Sequence, residues 1–264
     1  MKAKYELASW PTVALLATAF ICTIRANAEN NPATEALPEP GAINATLPNT
    51  AGDDSFLQNF GIGTRITYFW LRDRKRDFQA GIGATPGSFY GSINQLDAQQ
   101  NYLPLKIFVD YKFSPYCGVE LMYDQLRADA ITQIDGHSDG TINLIGPIAS
   151  IIGRYPNATR LTPYAGLGVA YFFAKFDENP RWSEPPGRNF RQTFELDNTA
   201  GWIVCGGCDV KISGPWSADL FLRYTEVDVS GIHWLNGQEN NIGGRHPDFP
   251  LSNIAAGMGV RYSF

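Results

Sequence analysis

Eight segments of the 264-residue chain alternate apolar residues with polar or small ones at a period of two. In the last segment, Ile254, Met258 and Val260 share one face and Arg261 lies on the other. A period of two is the side-chain period of a β-strand, so each segment is predicted to be a strand. The predicted strands cover 57–71, 103–113, 118–128, 141–155, 161–175, 198–212, 217–228 and 251–264.

The connections between these strands alternate in length. Short ones lie near 114–117, 156–159 and 213–216, and long ones near 72–102, 129–140, 176–197 and 229–250. Barrels that cross the outer membrane have short periplasmic turns, longer outer loops and an even number of strands. Because backbone inside a bilayer must be fully hydrogen-bonded, such a sheet has to close on itself. The pattern therefore predicts an all-β fold, an eight-stranded antiparallel up-and-down transmembrane β-barrel over residues 56–264.

Charged residues within the predicted strands lie on the face opposite the apolar one, which would be the barrel lumen. They are Arg65, Lys106, Asp110, Glu120, Asp124, Asp209, Lys211, Asp219, Arg223 and Arg261. Five are acidic and five basic, so they can pair with one another, as buried charges must. An eight-stranded barrel is just wide enough for side chains to fill it. We therefore expect a plugged, polar lumen rather than a broad channel, although the facing of the fourth strand stays open.

The N-terminal segment has the pattern of a cleaved secretory signal over residues 1–28. Lys2 and Lys4 precede a short apolar run, and Ala26-Asn27-Ala28 fits the small-x-small cleavage pattern. Residues 29–55 lack periodicity and are predicted to be a disordered periplasmic leader. The chain has 21 basic and 26 acidic residues, and the signal holds three and one of them, so 18 and 25 remain. This acidic balance argues against nucleic acid as a partner.

Three cysteines remain after cleavage: Cys117, Cys205 and Cys208. The spacing of Cys205 and Cys208 matches redox and metal motifs. On a strand, however, residues three apart point to opposite faces, so we expect the pair neither to bridge nor to chelate. No cofactor is expected, and the role of the cysteines stays open.

Several segments resemble the small OmpW-like and OmpA-like barrel proteins. Residues 161–173, LTPYAGLGVAYFF, resemble a strand of those proteins, and 201–213 followed by Trp216 and Arg223-Tyr224 looks like their next hairpin. Tyr116–Leu121 is similar to the start of their third strand. The resemblance spans roughly 57–264 and implies an eight-stranded barrel in the outer membrane. In the OmpW-like branch it also suggests binding or passage of small hydrophobic compounds.

The final strand also resembles the terminal strand of outer-membrane barrels. There, Val260, Tyr262 and Phe264 would form the signal that the barrel assembly machinery reads. The other partners implied are outer-membrane lipids, lipopolysaccharide and a small hydrophobic ligand. The leading hypothesis is a non-enzymatic outer-membrane barrel, either structural and surface-exposed or a narrow, porin-like passage for small hydrophobic molecules.

The sequence also allows two alternatives to a non-enzymatic outer-membrane barrel. A barrel enzyme that modifies lipid A by acyl transfer or deacylation would need a nucleophile, a base and an orienting carboxylate in the outer loops. The histidines are His137, His233 and His246, all in predicted loops, and the last two share a loop with Glu239 and Asp248. A soluble, lipocalin-like periplasmic barrel would need a polar outside and an apolar inside.

Overall fold

The computed structural model describes residues 58–75, 88–100, 105–132, 136–240 and 244–264. The predicted signal peptide at 1–28 and the predicted leader at 29–55 lie outside these residues. The described residues belong to one compact unit, Gln58–Phe264.

The described part of the chain contains thirteen strands and one short helix. They are β1 (Phe60–Leu71), β2 (Ile93–Ala98), β3 (Leu105–Ser114), β4 (Cys117–Thr132), β5 (Ser138–Arg154), β6 (Leu161–Glu178), α1 (Pro180–Ser183), β7 (Gln192–Leu196), β8 (Thr199–Ser213), β9 (Trp216–Glu226), β10 (Asp228–Leu235), β11 (Gln238–Glu239), β12 (Asp248–Pro250) and β13 (Asn253–Ser263). None of the described residues belongs to a helix long and apolar enough to cross a bilayer.

Eight of the strands form a closed antiparallel barrel, in the order β4-β3-β1-β13-β9-β8-β6-β5. Pairing between β4 and β5 closes the ring. The first and last barrel strands are neighbours, with Ile62 opposite Tyr262 and Ile66 opposite Met258. The eight-stranded antiparallel barrel predicted from the sequence is confirmed.

The outer face of the barrel is apolar. Its exposed side chains include Ile66, Ile107, Leu121, Val169 and Met258. Aromatic pairs flank this band at both ends of the barrel. They are Tyr68–Trp70, Tyr171–Phe173 and Trp202–Tyr224 at one end, and Phe60–Tyr111, Trp216–Tyr262 and Tyr262–Phe264 at the other.

The three short connections meet at one end of the barrel, here called the turn end. The hairpins of β3–β4 and β8–β9 are joined by two residues each, Pro115-Tyr116 and Gly214-Pro215. Gly214 has a φ of 53°, a conformation that glycine adopts without steric cost. The short connections were predicted correctly.

The opposite end, the loop end, carries more regular structure than predicted. The expected long loop at 129–140 is mostly strand, because β4 runs to Thr132 and β5 starts at Ser138. Also, β2 adds to the outer part of β4, with Leu96 opposite Ala130. The strands thus continue beyond the apolar band as an ordinary hydrogen-bonded ladder.

A second small sheet covers the loop end. In it, β10 pairs with β7, β11 and β12. Its inner face carries Phe194, Val229 and Phe249, which are buried in one cluster with the barrel residues Phe172 and Phe176. This four-stranded sheet is called the loop-end lid.

Candidate functional site

The barrel lumen has an apolar half beneath the loop-end lid and a charged half towards the turn end. Ile142, Leu144 and Ile148 of β5 point inwards and are fully buried. This settles the facing of the fourth predicted strand, which places Ile151 outside. The charged half is the site in which the sequence-predicted lumen residues meet.

Arg65 is the centre of the charged half. Its two terminal nitrogens contact both oxygens of Glu120, at 2.6 and 2.8 Å, and its Nε donates to Asp219 at 2.5 Å. The Tyr164 hydroxyl donates to the other Asp219 oxygen at 2.7 Å. The Arg65 guanidinium also lies 4.0 Å from the centre of the Phe108 ring, within range of a cation–π interaction. Every charge in this group therefore has a partner of fixed geometry.

Asp124 joins two cations on the side nearer the loop end. Its carboxylate accepts from Arg223 and pairs with Lys106. All three side chains are buried. This shared carboxylate joins side chains of β3, β4 and β9 inside the lumen. The three residues together have a net charge of +1, which the remaining three cations and four carboxylates of the charged half balance.

Arg261 joins three carboxylates on the side nearer the turn end. It pairs with Asp209, with Asp110 at 3.2 Å and with Glu120 at 3.4 Å. The Arg154 guanidinium donates to Asp110 at 3.0 Å. Glu120 therefore links this group to Arg65. The Asp124 group joins them only through the Met122 sulfur, which lies 3.9 Å from Arg65 Nη1 and 4.0 Å from Arg223 Nη1. Together these side chains are called the ion-pair network.

The structure corrects one predicted member of this network and adds another. Lys211 is exposed, not buried in the lumen, because it lies past the last closed layer of side chains at the turn end. The sequence-based set lacked Arg154, which is buried and takes the fifth cationic place. Its signal was weak because Ile151 and Ile152 put apolar residues on both faces of its strand. The network thus contains five cations and five carboxylates.

The space left inside the network is small. A cavity of about 10 Å³ lies among Arg65, Glu120, Tyr164 and Cys205. A single water molecule needs about 10–15 Å³. This cavity is therefore too small to carry a hydrated ion past Arg65.

The three cysteines in the described chain are free thiols. Cys205 lies inside, at the small cavity, while Cys208 is its outward neighbour three residues on. Opposite facing on one strand explains why the pair is unbridged. Among the described residues there is no group of three or more His, Cys, Asp or Glu side chains that could hold a metal ion.

The histidines do not come together. His137 and His246 are exposed, and His233 is buried in the loop-end lid. His233 Nδ1 lies 3.1 Å from the Tyr90 hydroxyl and 3.2 Å from the Asn240 carbonyl oxygen. Burial lowers the pKa of the His233 imidazole, and the Asn240 hydrogen bond opposes this only in part. Glu239 and Asp248 are exposed, whereas the Nδ1 contacts of the buried His233 are with Tyr90 and Asn240.

Solved structures share this fold. Outer membrane protein AlkL, determined by solid-state NMR in DMPC bilayers, is 15% identical, with 84% of this chain and 97% of that chain covered and a TM-score of 0.56. The crystal structure of OprG from Pseudomonas aeruginosa is 17% identical, with 78% and 94% covered and a TM-score of 0.50. Outer membrane protein W of E. coli is 20% identical over 77% and 97%, with a TM-score of 0.47.

At these identities, the likeness to AlkL and OprG concerns the fold. The fold implied by the sequence resemblance, that of the small eight-stranded outer-membrane barrels, is confirmed. No protein-family model and no curated protein matches the sequence.

Proposed function

We propose that this chain is an integral protein of the bacterial outer membrane whose lumen is closed to ions and polar solutes. The observation that carries the proposal is the inverted polarity of the barrel. The outer face is an apolar band that lies between two girdles of aromatic side chains, one at each end of the barrel. The inside holds a buried ion-pair network with a net charge of zero. A soluble lipocalin-like barrel would have the reverse arrangement.

The remaining parts of the proposal follow the architecture of outer-membrane barrels. Residues 1–28 direct export and are cleaved, the turn end faces the periplasm, and the loop-end lid faces outwards towards lipopolysaccharide. Val260, Tyr262 and Phe264, on the outer face of the closing strand, form the signal for the assembly machinery. The role is non-enzymatic, because the buried His233 faces Tyr90 and Asn240 rather than a nucleophile and a carboxylate.

A small hydrophobic ligand remains a second candidate, with binding favoured over passage along the barrel axis. The apolar half of the lumen, with Phe108, Leu144 and Phe172, lies directly beneath the lid. The charged half below it would have to lose its ion pairs before an apolar molecule could pass, which is costly. Such a ligand would therefore have to displace the loop-end lid in order to enter, and it would stop above Arg65.

The first experiment is fractionation of cells that express the full chain. We expect the protein in the outer-membrane fraction, folded and heat-modifiable on a gel, with residues 1–28 absent by mass spectrometry. Recovery in the soluble periplasm would refute the proposal.

The second experiment is single-channel recording of the refolded protein in planar bilayers. We expect no stable ion-conducting steps, and regular porin-like steps would refute a closed lumen.

The third experiment tests the enzyme alternative with a lipid A deacylation assay of the same sample. Activity in the parent protein that is lost in the His233→Ala variant and in the His246→Ala variant would establish the enzyme.

A further inference from the structure

The turn end of the barrel contains a second and much larger cavity. It measures about 340 Å³ and opens between the hairpins of β3–β4 and β8–β9. Its lining includes Lys112, Arg154, Lys211 and Arg261, together with Asp209 and Trp216. This cavity is called the turn-end vestibule, and its volume lies at the lower end of the range for small-molecule sites.

The vestibule carries an excess of positive charge. The ion-pair network above it is balanced, five cations against five carboxylates, and Arg154, Arg261 and Asp209 belong to that network. Lys112 and Lys211 do not: neither has an ion pair within the described chain, and Lys112 Nζ only donates to Ser263 Oγ at 3.3 Å. Two lysines without an ion pair thus line one cavity in a chain whose net charge is −5, and Asp209 is the carboxylate among the lining residues.

Arg154 adds an independent indication of a missing partner. Its side chain is only 4% exposed, and one terminal nitrogen donates to Asp110. Its Nε and its other terminal nitrogen, Nη1, are buried without a hydrogen-bond partner, as is one oxygen each of Asp110 and Asp209. Buried donors are normally paired, because an unpaired one loses its hydration without compensation. These two donors lie on different edges of the guanidinium, so each can donate separately to an oxygen of an anion.

We propose that the turn-end vestibule binds a small oxyanion with two negative charges, of the phosphate or dicarboxylate class. Lys112 and Lys211 supply the two positive charges that balance it, and Arg154 supplies the directed donors. If the barrel lies in the outer membrane as proposed above, the vestibule opens to the periplasm and the ligand is a periplasmic solute. The site itself depends only on the folded barrel.

The test is calorimetric titration of the full refolded chain with inorganic phosphate and, separately, with succinate. An uncharged maltoside detergent is required because phosphocholine detergents would supply phosphate themselves. Ionic strength is held constant with sodium chloride, since screening alone would weaken any charge-based binding. We expect saturable one-to-one binding of at least one of the two anions, and the preferred one distinguishes tetrahedral from planar oxyanion recognition.

The variant Lys112→Gln/Lys211→Gln should weaken that binding by about tenfold or more, since it removes two charge-assisted contacts. Lys175→Gln is the matched control, because this exposed lysine lies at the loop end of β6 and should leave the affinity unchanged. Heat-modifiable migration establishes that each variant is folded. The proposal is overturned if neither anion binds saturably or if the double variant binds as tightly as the parent. Because the titration needs no membrane fraction, its result is independent of the test of cellular location.

Discussion

At the scale of single residues, two adjacent glycines of β8 have opposite surroundings. A Cβ atom on Gly207 would lie 2.5 Å from the Tyr164 hydroxyl and 2.2 Å from the Leu220 carbonyl oxygen. On Gly206, the nearest atom would be the Tyr164 carbonyl oxygen at 3.5 Å, an ordinary contact. Gly207 is therefore needed for Tyr164 to reach Asp219 inside the barrel, whereas Gly206 is not.

Replacing Gly207 by alanine should destabilise the barrel by about 1–3 kcal/mol, the usual cost of overpacking a filled interior. The physical reason is that the new Cβ atom would overlap the Leu220 carbonyl oxygen of the paired strand and would also force Tyr164 to release its hydrogen bond to Asp219. Urea unfolding of the refolded protein in lipid vesicles, followed by intrinsic fluorescence, measures the change. Gly206→Ala is the control and should change the free energy of unfolding by less than about 0.5 kcal/mol. Equal losses in the two variants would show that the contact with Tyr164 is not the cause.

The residue scale also shows what alternation can and cannot predict. Parity along a strand placed Arg65 on the inner face, because its neighbours alternate cleanly between Gly and apolar residues. Parity gives the face of a residue but not its depth, so Lys211 was assigned to the lumen although it lies at the mouth. Arg154 was missed for another reason: the apolar residues beside it occupy both faces of β5, as strands buried on both sides do.

At the scale of elements, the predicted strands stopped where their outer residues turn polar. On β4 and β5, the outward residues beyond the apolar band are Arg127, Asp129 and Thr141. Both strands nevertheless continue, and Asp129 accepts hydrogen bonds from Gln99 at 2.8 Å and from Thr141 at 2.6 Å. Apolar alternation therefore marks the outer apolar band well and the full strand length poorly. The lid strands were missed because they are short and because their partners are far apart in sequence.

The loop-end lid contains a buried histidine, His233. Its ring is 3% exposed and packs against Tyr90, Trp182 and Phe194, and its Nε2 has no hydrogen-bond partner. Burial lowers the pKa of His233 from its usual value of 6.5, so the closed lid binds a proton less readily than the open one. The stability that the neutral ring contributes is present above about pH 6.5 and is lost as the pH falls below that value.

We therefore expect amide protection in β7 and β10 to fall between about pH 7.5 and about pH 5, while protection in the barrel strands stays constant. Hydrogen exchange with mass spectrometry, corrected for the intrinsic pH dependence of exchange, measures this. His233→Phe keeps a ring in the same place and should abolish the pH dependence. His246→Gln, at an exposed position, should leave it unchanged. A fall in protection that persists in His233→Phe would assign the effect to another group.

At the scale of the whole molecule, the barrel reverses the usual arrangement of a soluble protein, and its environment decides whether that is stable. The ion-pair network fills one half of the interior, and the loop-end lid covers the other half. The large apolar surface that remains exposed is therefore the outer face of the barrel. Such a surface is unfavourable in water and favourable in hydrocarbon. The stability of the folded barrel should therefore respond to charges on the outer face according to their depth in the bilayer.

Val169 and Leu161 of β6 test this depth dependence on one strand. Val169 is 64% exposed in the middle of the apolar band, and Leu161 is 48% exposed at the turn end, where β6 begins. In lipid vesicles, Val169→Arg should destabilise the barrel by about 2–4 kcal/mol, because the guanidinium would have to leave water near the bilayer midplane. Leu161→Arg should cost only about 0–1 kcal/mol, because its side chain reaches the interface.

Urea unfolding of both variants in vesicles gives the two free-energy losses. In maltoside micelles, where the depth of a residue in the apolar layer is poorly defined, the difference between the two losses should be smaller. Equal costs in vesicles would mean that this band does not span a bilayer, and the outer-membrane proposal would fail with it.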